Sequence, residues 1–418
     1  MPCRVGDDDS IPIANYGRSN VGTMKRVYRK GLKYRYGSLM QTIAGIHFNY
    51  SFPERFWEAW REVQEDPRPL QAVASDGYFR LIRNFQRFGW LIPYLFGSSP
   101  AICKSFLVGR DTREFEELDN GTWFQPYATS LRMSDIGYKN KSQSSMNVSY
   151  ANLADYVRTL TRAIETKDAE YEAIGIHREG EYLQLNANLL QIENEYYSFV
   201  RPKQVAESGE KPTLALKRRG VRYVEIRALD VGAFDPIGVN ENQLRFLEAF
   251  LAFCVFQDDY PQDTIERELI EINQQKVACC GRDPALKLTL GGVEKPVREW
   301  AHLLCESVQP YCELLDAAEK ESPYTQALEE QIRVALDSDL MPSSRLLHEM
   351  ALSKESFFEY AMRKSTEHEE YFQSIPLPED KQREMESRAK LSLIEQKQIE
   401  DKDEIGFSQY LEQYFAQR

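Results

Sequence analysis

The 418-residue chain has no apolar run long enough to cross a bilayer. Its most apolar stretch, Leu244 to Phe256, covers thirteen residues and carries Arg245 and Glu248, whereas a spanning helix needs about 20 apolar residues. Met1 is followed closely by Asp7, Asp8 and Asp9 without an apolar segment of the secretory type. A cytoplasmic protein with no membrane partner is therefore expected. Cysteine is sparse and unpatterned: Cys3, Cys103, Cys254, Cys279, Cys280, Cys305 and Cys312 make an odd number and no Cys-x-x-Cys pair. Scattered reduced thiols fit this better than a disulfide framework. Five histidines, His47, His177, His302, His348 and His368, are too few and too dispersed for a His-rich metal centre. There is no G-x-x-x-x-G-K-[ST] phosphate loop, no G-x-G-x-x-G turn opening a helix, no H-E-x-x-H helix and no G-x-S-x-G elbow. Those absences argue against the common nucleotide-loop, dinucleotide, zinc-protease and serine-hydrolase classes. Basic residues are outnumbered 52 to 65, for a net charge of -13. Coating a nucleic acid needs a basic face, so a nucleic-acid partner is not expected; a local basic pocket for a small anion remains compatible.

Strand-like alternation dominates the first part of the chain and helical periodicity the second. This order predicts an α+β fold with an antiparallel sheet. Residues 1–240 are expected to form a sheet region with interleaved helices, and 241–418 a mainly helical part packed on it in the same structural unit. Helices are predicted at 20–34, broken late by Gly31, at 76–90 and at 150–166. Further helices are predicted at 241–258, 264–277, 296–319, 324–336, 353–371 and 379–401. The helix from Glu241 is apolar nearly all round and should be buried. Residues 379–404 carry nine acidic and six basic groups, which reads as a solvated face. Residues 181–200 read as extended and 202–213 as a polar loop.

Three segments could carry chemistry. Between Ser10 and Pro53 there is no acid but seven bases, Arg18, Lys25, Arg26, Arg29, Lys30, Lys33 and Arg35. Such a stretch is either a solvated basic face or a positive wall beside an anionic ligand. Residues 39–52 within it read as a strand, with Ile46, Phe48, Tyr50 and Phe52 on one face and Gln41, His47, Asn49 and Ser51 on the other. A second strand, 221–230, puts Val224, Ile226 and Ala228 on one face and Tyr223, Glu225 and Arg227 on the other. The Glu225–Arg227 pair is either a structural ion pair or a metal-binding carboxylate beside an arginine that contacts phosphate. The loop 129–144 offers Arg132 as a clamp for a carboxylate or as an ordinary surface residue. Gln191, Glu193 and Glu195 line a polar cavity or an exposed edge; spacing does not choose between them.

At these residues the chain resembles the proteobacterial type of glutamate–cysteine ligase, or γ-glutamylcysteine synthetase. The matching stretches are 36–51, 88–101, 127–138, 191–197 (Gln-Ile-Glu-Asn-Glu-Tyr-Tyr) and 223–230 (Tyr-Val-Glu-Ile-Arg-Ala-Leu-Asp). The resemblance implies a glutamine synthetase/guanidino kinase-like fold, with an antiparallel sheet curved around the site. It implies ATP-dependent joining of the γ-carboxylate of L-glutamate to the amine of L-cysteine through an acyl phosphate, the first step of glutathione biosynthesis. It makes His47 and Glu225 magnesium ligands, Arg227 the catalytic residue facing the transferred phosphoryl group of ATP, and Arg132 the holder of the glutamyl carboxylate. Tyr28, Leu32, Gln41, Tyr138 and Tyr197 become the cysteine pocket, and the protein a monomer. Met1-Pro2-Cys3 resembles an internal Met-Pro-Cys of the family, so a segment bearing further metal-binding carboxylates is expected to be missing from the N-terminal side. Two readings follow: the bulk of an ATP-dependent ligase, or a non-catalytic remnant that binds nucleotide or amino acid or needs a separate N-terminal piece.

Overall fold

A computed structural model describes residues 6, 8–119, 121–137, 146 and 148–417. The period-two alternation at Tyr223–Leu229 does form a strand, and it is the middle strand of three. Ile46–Tyr50 lies on one side and Val200–Lys203 on the other, both antiparallel to it. Phe48 and Val200 sit opposite Ile226, while Tyr50 and Pro202 sit opposite Val224. One face of this sheet is therefore apolar. Val224, Ile226 and Ala228 are essentially fully buried there, in a core shared with Phe85, Leu91, Phe246 and Phe250. Those partners come from the helices Leu70–Phe88, Leu91–Phe96 and Glu241–Phe256. The last of these starts at a reciprocal Asn240/Gln243 capping box and is buried, as its all-round apolarity predicts.

The register contains one irregularity. Ile46 pairs with Leu229 and Phe48 with Ile226, so two residues of the first strand span three of the second. Arg227 and Ala228 thus share the place opposite His47, a bulge that bends the strand and re-aims its side chains.

Small antiparallel sheets and many helices make the described chain an α+β structure, as expected. Several boundaries differ from the sequence reading. The expected strand 39–52 is confined to Ile46–Tyr50, and Leu39–Thr42 is a 3₁₀ turn closed by the Thr42 hydroxyl on the Leu39 carbonyl. Residues 181–200 are mostly irregular rather than extended. Side-chain amides substitute for a ladder there: Gln191 Oε1 accepts from Leu185 N–H, and Asn186 Nδ2 donates to the Gln191 carbonyl. Within the expected loop 202–213, Pro202 and Lys203 belong to the edge strand. Proline suits an edge because no neighbour asks for its missing N–H. Gly31 does not break the first helix, which runs from Asn20 to Tyr36. Helices at Glu54–Val63, Pro212–Arg219, Pro342–Ser353 and Phe407–Ala416 were not anticipated.

The charged helix Glu379–Asp401 buries nothing, in keeping with a solvated face. It returns the chain to the first helix. Asp403 Oδ2 accepts from the Asn20 N–H at 2.5 Å, and Leu411 and Tyr414 pack on Met24 and Val27. Among the described residues no helix is long and apolar enough to cross a membrane, and the described cysteines are free thiols.

Candidate active site

The sheet face opposite the core carries the chemistry. Antiparallel pairing sets residues side by side on one face, so Asn49 and Arg201 flank Glu225, and Lys203 flanks Tyr223. Glu225 is the hub. His47 Nδ1 lies 2.9 Å from its Oε1, Lys203 Nζ 2.7 Å from its Oε2, and Arg227 Nη1 3.6 Å from Oε1. Burial by itself pushes the Glu225 carboxyl up. The hydrogen bond from His47 and the charges of Lys203 and Arg201 outweigh that and hold the group well below the usual carboxylate range. Glu225 is thus held as an anion, 8 % exposed at its side chain, while its partner His47 is 43 % exposed and opens to solvent.

These two donors fit a divalent cation. An imidazole nitrogen and a carboxylate oxygen are donor types such an ion takes, and a bound ion would replace the 2.9 Å hydrogen bond between His47 Nδ1 and Glu225 Oε1. Among the described residues no third His, Cys, Asp or Glu joins them to make a larger metal cluster.

Arg227 stands between this pair and an aromatic wall. Its guanidinium carbon is 5.6 Å from the centre of the Tyr197 ring, and the Tyr197 hydroxyl donates to Met133 Sδ at 3.5 Å. Arg132 lies beneath. Its Nε donates to Asp230 at 2.7 Å, and its Nη2 to the carbonyls of Arg227 and Leu229 at 3.0 and 2.6 Å. Arg132 is therefore not the surface residue that loop position alone allowed: it is 3 % exposed and grips the strand that carries Arg227. Its Nη1 lies against Gly45, where a side-chain carbon would come within 2.5 Å. Asp230 also accepts from Ser98 N–H and from the hydroxyls of Ser99 and Ser130. Burial raises the Asp230 carboxyl, but the Arg132 charge and these donors hold it below its ordinary value.

Tyr28 and Leu32 are one helical turn apart on Asn20–Tyr36 and half-buried. The Tyr28 hydroxyl is pushed up by burial and by Glu195, against the opposing pull of Arg201, Arg29 and Arg227, which puts it within electrostatic reach of the arginines. Gln41 Nε2 donates to the Arg29 carbonyl at 3.2 Å and so ties the 3₁₀ turn to the same helix. Tyr138 lies outside the described residues.

The second polar stretch is internal, not an exposed edge. Glu193 accepts from the Thr213 hydroxyl at 2.5 Å. Glu195 accepts from Arg35 Nη1 at 2.9 Å, from the Tyr36 hydroxyl at 2.6 Å and from Gln191 N–H at 2.7 Å. Gln191 Nε2 reaches the Tyr28 carbonyl at 3.3 Å. These groups hold the Tyr28 helix from behind. Sequence reasoning missed Arg201 and Lys203. The available signal was the Arg-x-Lys alternation across Pro202, hidden because the strand boundary was drawn at 200.

The family model described as Glutamate-cysteine ligase matches residues 1–277. The glutamate–cysteine ligase of Alcanivorax borkumensis is 43% identical over 420 residues, covering 99% of this chain and 80% of its own. That of Azotobacter vinelandii is 45% identical over 419 residues, covering 100% of this chain and 79% of its own. The crystal structure of a glutamate–cysteine ligase from Francisella tularensis in complex with AMP superposes with a TM-score of 0.92 at 35% identity, covering 99% of this chain and 80% of that one. A bifunctional glutathione synthetase from Pasteurella multocida shares the fold, with a TM-score of 0.62 at 21% identity over 81% of this chain and 38% of that one. By sequence and by fold the chain belongs to the glutamate–cysteine ligase family.

Proposed function

We propose that the polar sheet face built on His47, Glu225 and Arg227 is the phosphoryl-transfer centre of an ATP-dependent ligase that joins the γ-carboxylate of L-glutamate to the amine of L-cysteine. The observation that carries this reading is the convergence of a histidine, a carboxylate and an arginine on one side of a strand whose other side is core. In the first step a γ-carboxylate oxygen bonds to the terminal phosphorus of ATP, and the bond from that phosphorus to the bridging oxygen breaks to release ADP. In the second step the cysteine amine bonds to the acyl carbon, phosphate leaves, and the amine gives up a proton. Arg227 balances charge on the transferring group, which is worth most where water is excluded. His47 and Glu225 would hold Mg²⁺, which when bound neutralises phosphate oxygens and orients them. Arg132 holds the glutamyl carboxylate, on a side chain fixed by Asp230 and the central strand. Tyr28, Leu32, Gln41, Tyr138 and Tyr197 form the cysteine pocket, and the three-stranded antiparallel sheet is the described part of a larger sheet curving around the substrates. Holding the two amino acids and the nucleotide in register supplies much of the rate.

The two-donor metal set favours a second reading beside the first, in which this chain binds nucleotide or amino acid but turns over only when further ligands are supplied. ADP release with ATP, Mg²⁺, L-glutamate and L-cysteine separates the two. The chain is assayed alone and with the part of the A. borkumensis ligase that it does not match. Release that needs both amino acids in the first assay supports a self-sufficient ligase, and in the second assay alone a complemented one. No release in either overturns the ligase reading.

A further inference from the structure

Two cations on the Val200–Lys203 strand, Arg201 buried and Lys203 half-buried, have no part in the roles above. Register puts Arg201 beside Glu225 and Lys203 beside Tyr223, on the polar face. Arg201 is 6 % exposed, yet its one hydrogen bond within the described protein is a long one, Nη2 to the Asn194 carbonyl at 3.4 Å, and its Nε has no hydrogen-bond partner there. A guanidinium offers five donors, and leaving buried donors unmet is costly. Among the described residues the Lys203 ammonium pairs with Glu225, at 2.7 Å. Arg201, Lys203 and Arg227 together set three positive charges against the single Glu225 carboxylate, in a chain whose net charge is -13. A partly buried cationic excess of this kind is stabilised by an anion with many acceptor oxygens.

The spacing narrows the anion. Lys203, Arg201 and Arg227 stand at the levels of residues 223, 225 and 227 of the central strand, yet the heads of Lys203 and Arg227 meet at one carboxylate, 2.7 and 3.6 Å from the two oxygens of Glu225. Positive charge gathered this closely suits a polyphosphate, which brings more charge and more acceptor oxygens than a lone carboxylate or phosphate monoester. We propose that Arg201 and Lys203 bind the phosphate chain of a nucleoside triphosphate on the side of Glu225 away from His47, so that the chain runs between them and Arg227. The proposal rests on the reading of this face as the nucleotide site and adds residues that fix triphosphate over monophosphate.

The test is equilibrium calorimetry on the whole chain with Mg²⁺ and ATP or AMP, without amino acid substrates. Arg201→Gln and Lys203→Gln should each raise the Kd for ATP about tenfold or more and leave that for AMP within about twofold, with Arg201→Lys milder than Arg201→Gln. Equal loss of ATP and AMP, or no loss of ATP, overturns the proposal. Competition on the unaltered chain keeps the test open should the variants fold poorly. Inorganic tripolyphosphate should displace ATP far better than orthophosphate does, and equal displacement counts against the proposal. If the unaltered chain binds ATP and the variants bind it equally well, only this inference falls. If the unaltered chain binds no ATP, the reading of the face falls with it.

Discussion

His47 and Glu225 belong to neighbouring strands yet bring Nδ1 and Oε1 to 2.9 Å of each other. Direct pairing does not do this, since Asn49 is the residue opposite Glu225. The bulge does, by letting Arg227 and Ala228 share the place across from His47, so that three side chains of alternating role meet on one face. If the pair holds Mg²⁺, Glu225→Gln should raise the Mg²⁺ concentration needed for half-maximal ADP release about tenfold or more. A Mg²⁺ titration of both proteins at saturating ATP checks this, and an unchanged requirement removes Glu225 from the metal site.

Arg132 and Asp230 form an ion pair in which each side chain is 3 % exposed. Breaking a buried pair strands the survivor, so Asp230→Asn should cost about 3–5 kcal/mol. The pH dependence has a definite sign. The Asp230 carboxyl is held below its ordinary value in the folded protein, so its contribution is present above about pH 4 and is lost as pH falls through the folded value. Urea midpoints of both proteins between about pH 5 and about pH 3 should therefore fall less steeply for Asp230→Asn. Parallel slopes would mean that Asp230 titrates alike in both states.

Gly31 lies inside the Asn20–Tyr36 helix, where alanine would ordinarily be favoured by about 0.8–1.0 kcal/mol. Here a side-chain carbon would meet Gln191 Oε1 at 2.1 Å, and Gln191 is fully buried with its amide held by Leu185 N–H and the Tyr28 carbonyl. Close contact should override propensity. Gly31→Ala is expected to lower the melting temperature and raise the KM for cysteine severalfold, with a smaller change in kcat. A more stable variant with an unaltered KM would show that the helix is not seated through Gln191.

The residues that were legible in the sequence are those with a regular period. Tyr223, Glu225 and Arg227 alternate against a run of Val, Ile and Ala, so both faces of the central strand could be assigned. The Glu379–Asp401 helix had its ends in plain sight because proline precedes it and charge fills it. The edge strand was not legible, because Pro202 interrupts it and only the tertiary fact that this strand is an edge makes proline acceptable. Gln191, Glu193 and Glu195 looked like site or surface. Their partners, Tyr28, Thr213 and Arg35, are up to 163 residues away in the chain, and no local pattern encodes them. The place of Arg132 beneath the strand was equally hidden, since it depends on Asp230, almost a hundred residues later.

The phosphoryl-transfer role of this face is tested most directly by the kinetics of Arg227→Ala. ADP release is measured under conditions where the unaltered protein shows release dependent on both glutamate and cysteine. Turnover should fall about 10²–10³-fold with the apparent ATP affinity changed far less. Turnover that stays intact while only ATP affinity falls would contradict the assignment of Arg227 to the transferring phosphoryl group.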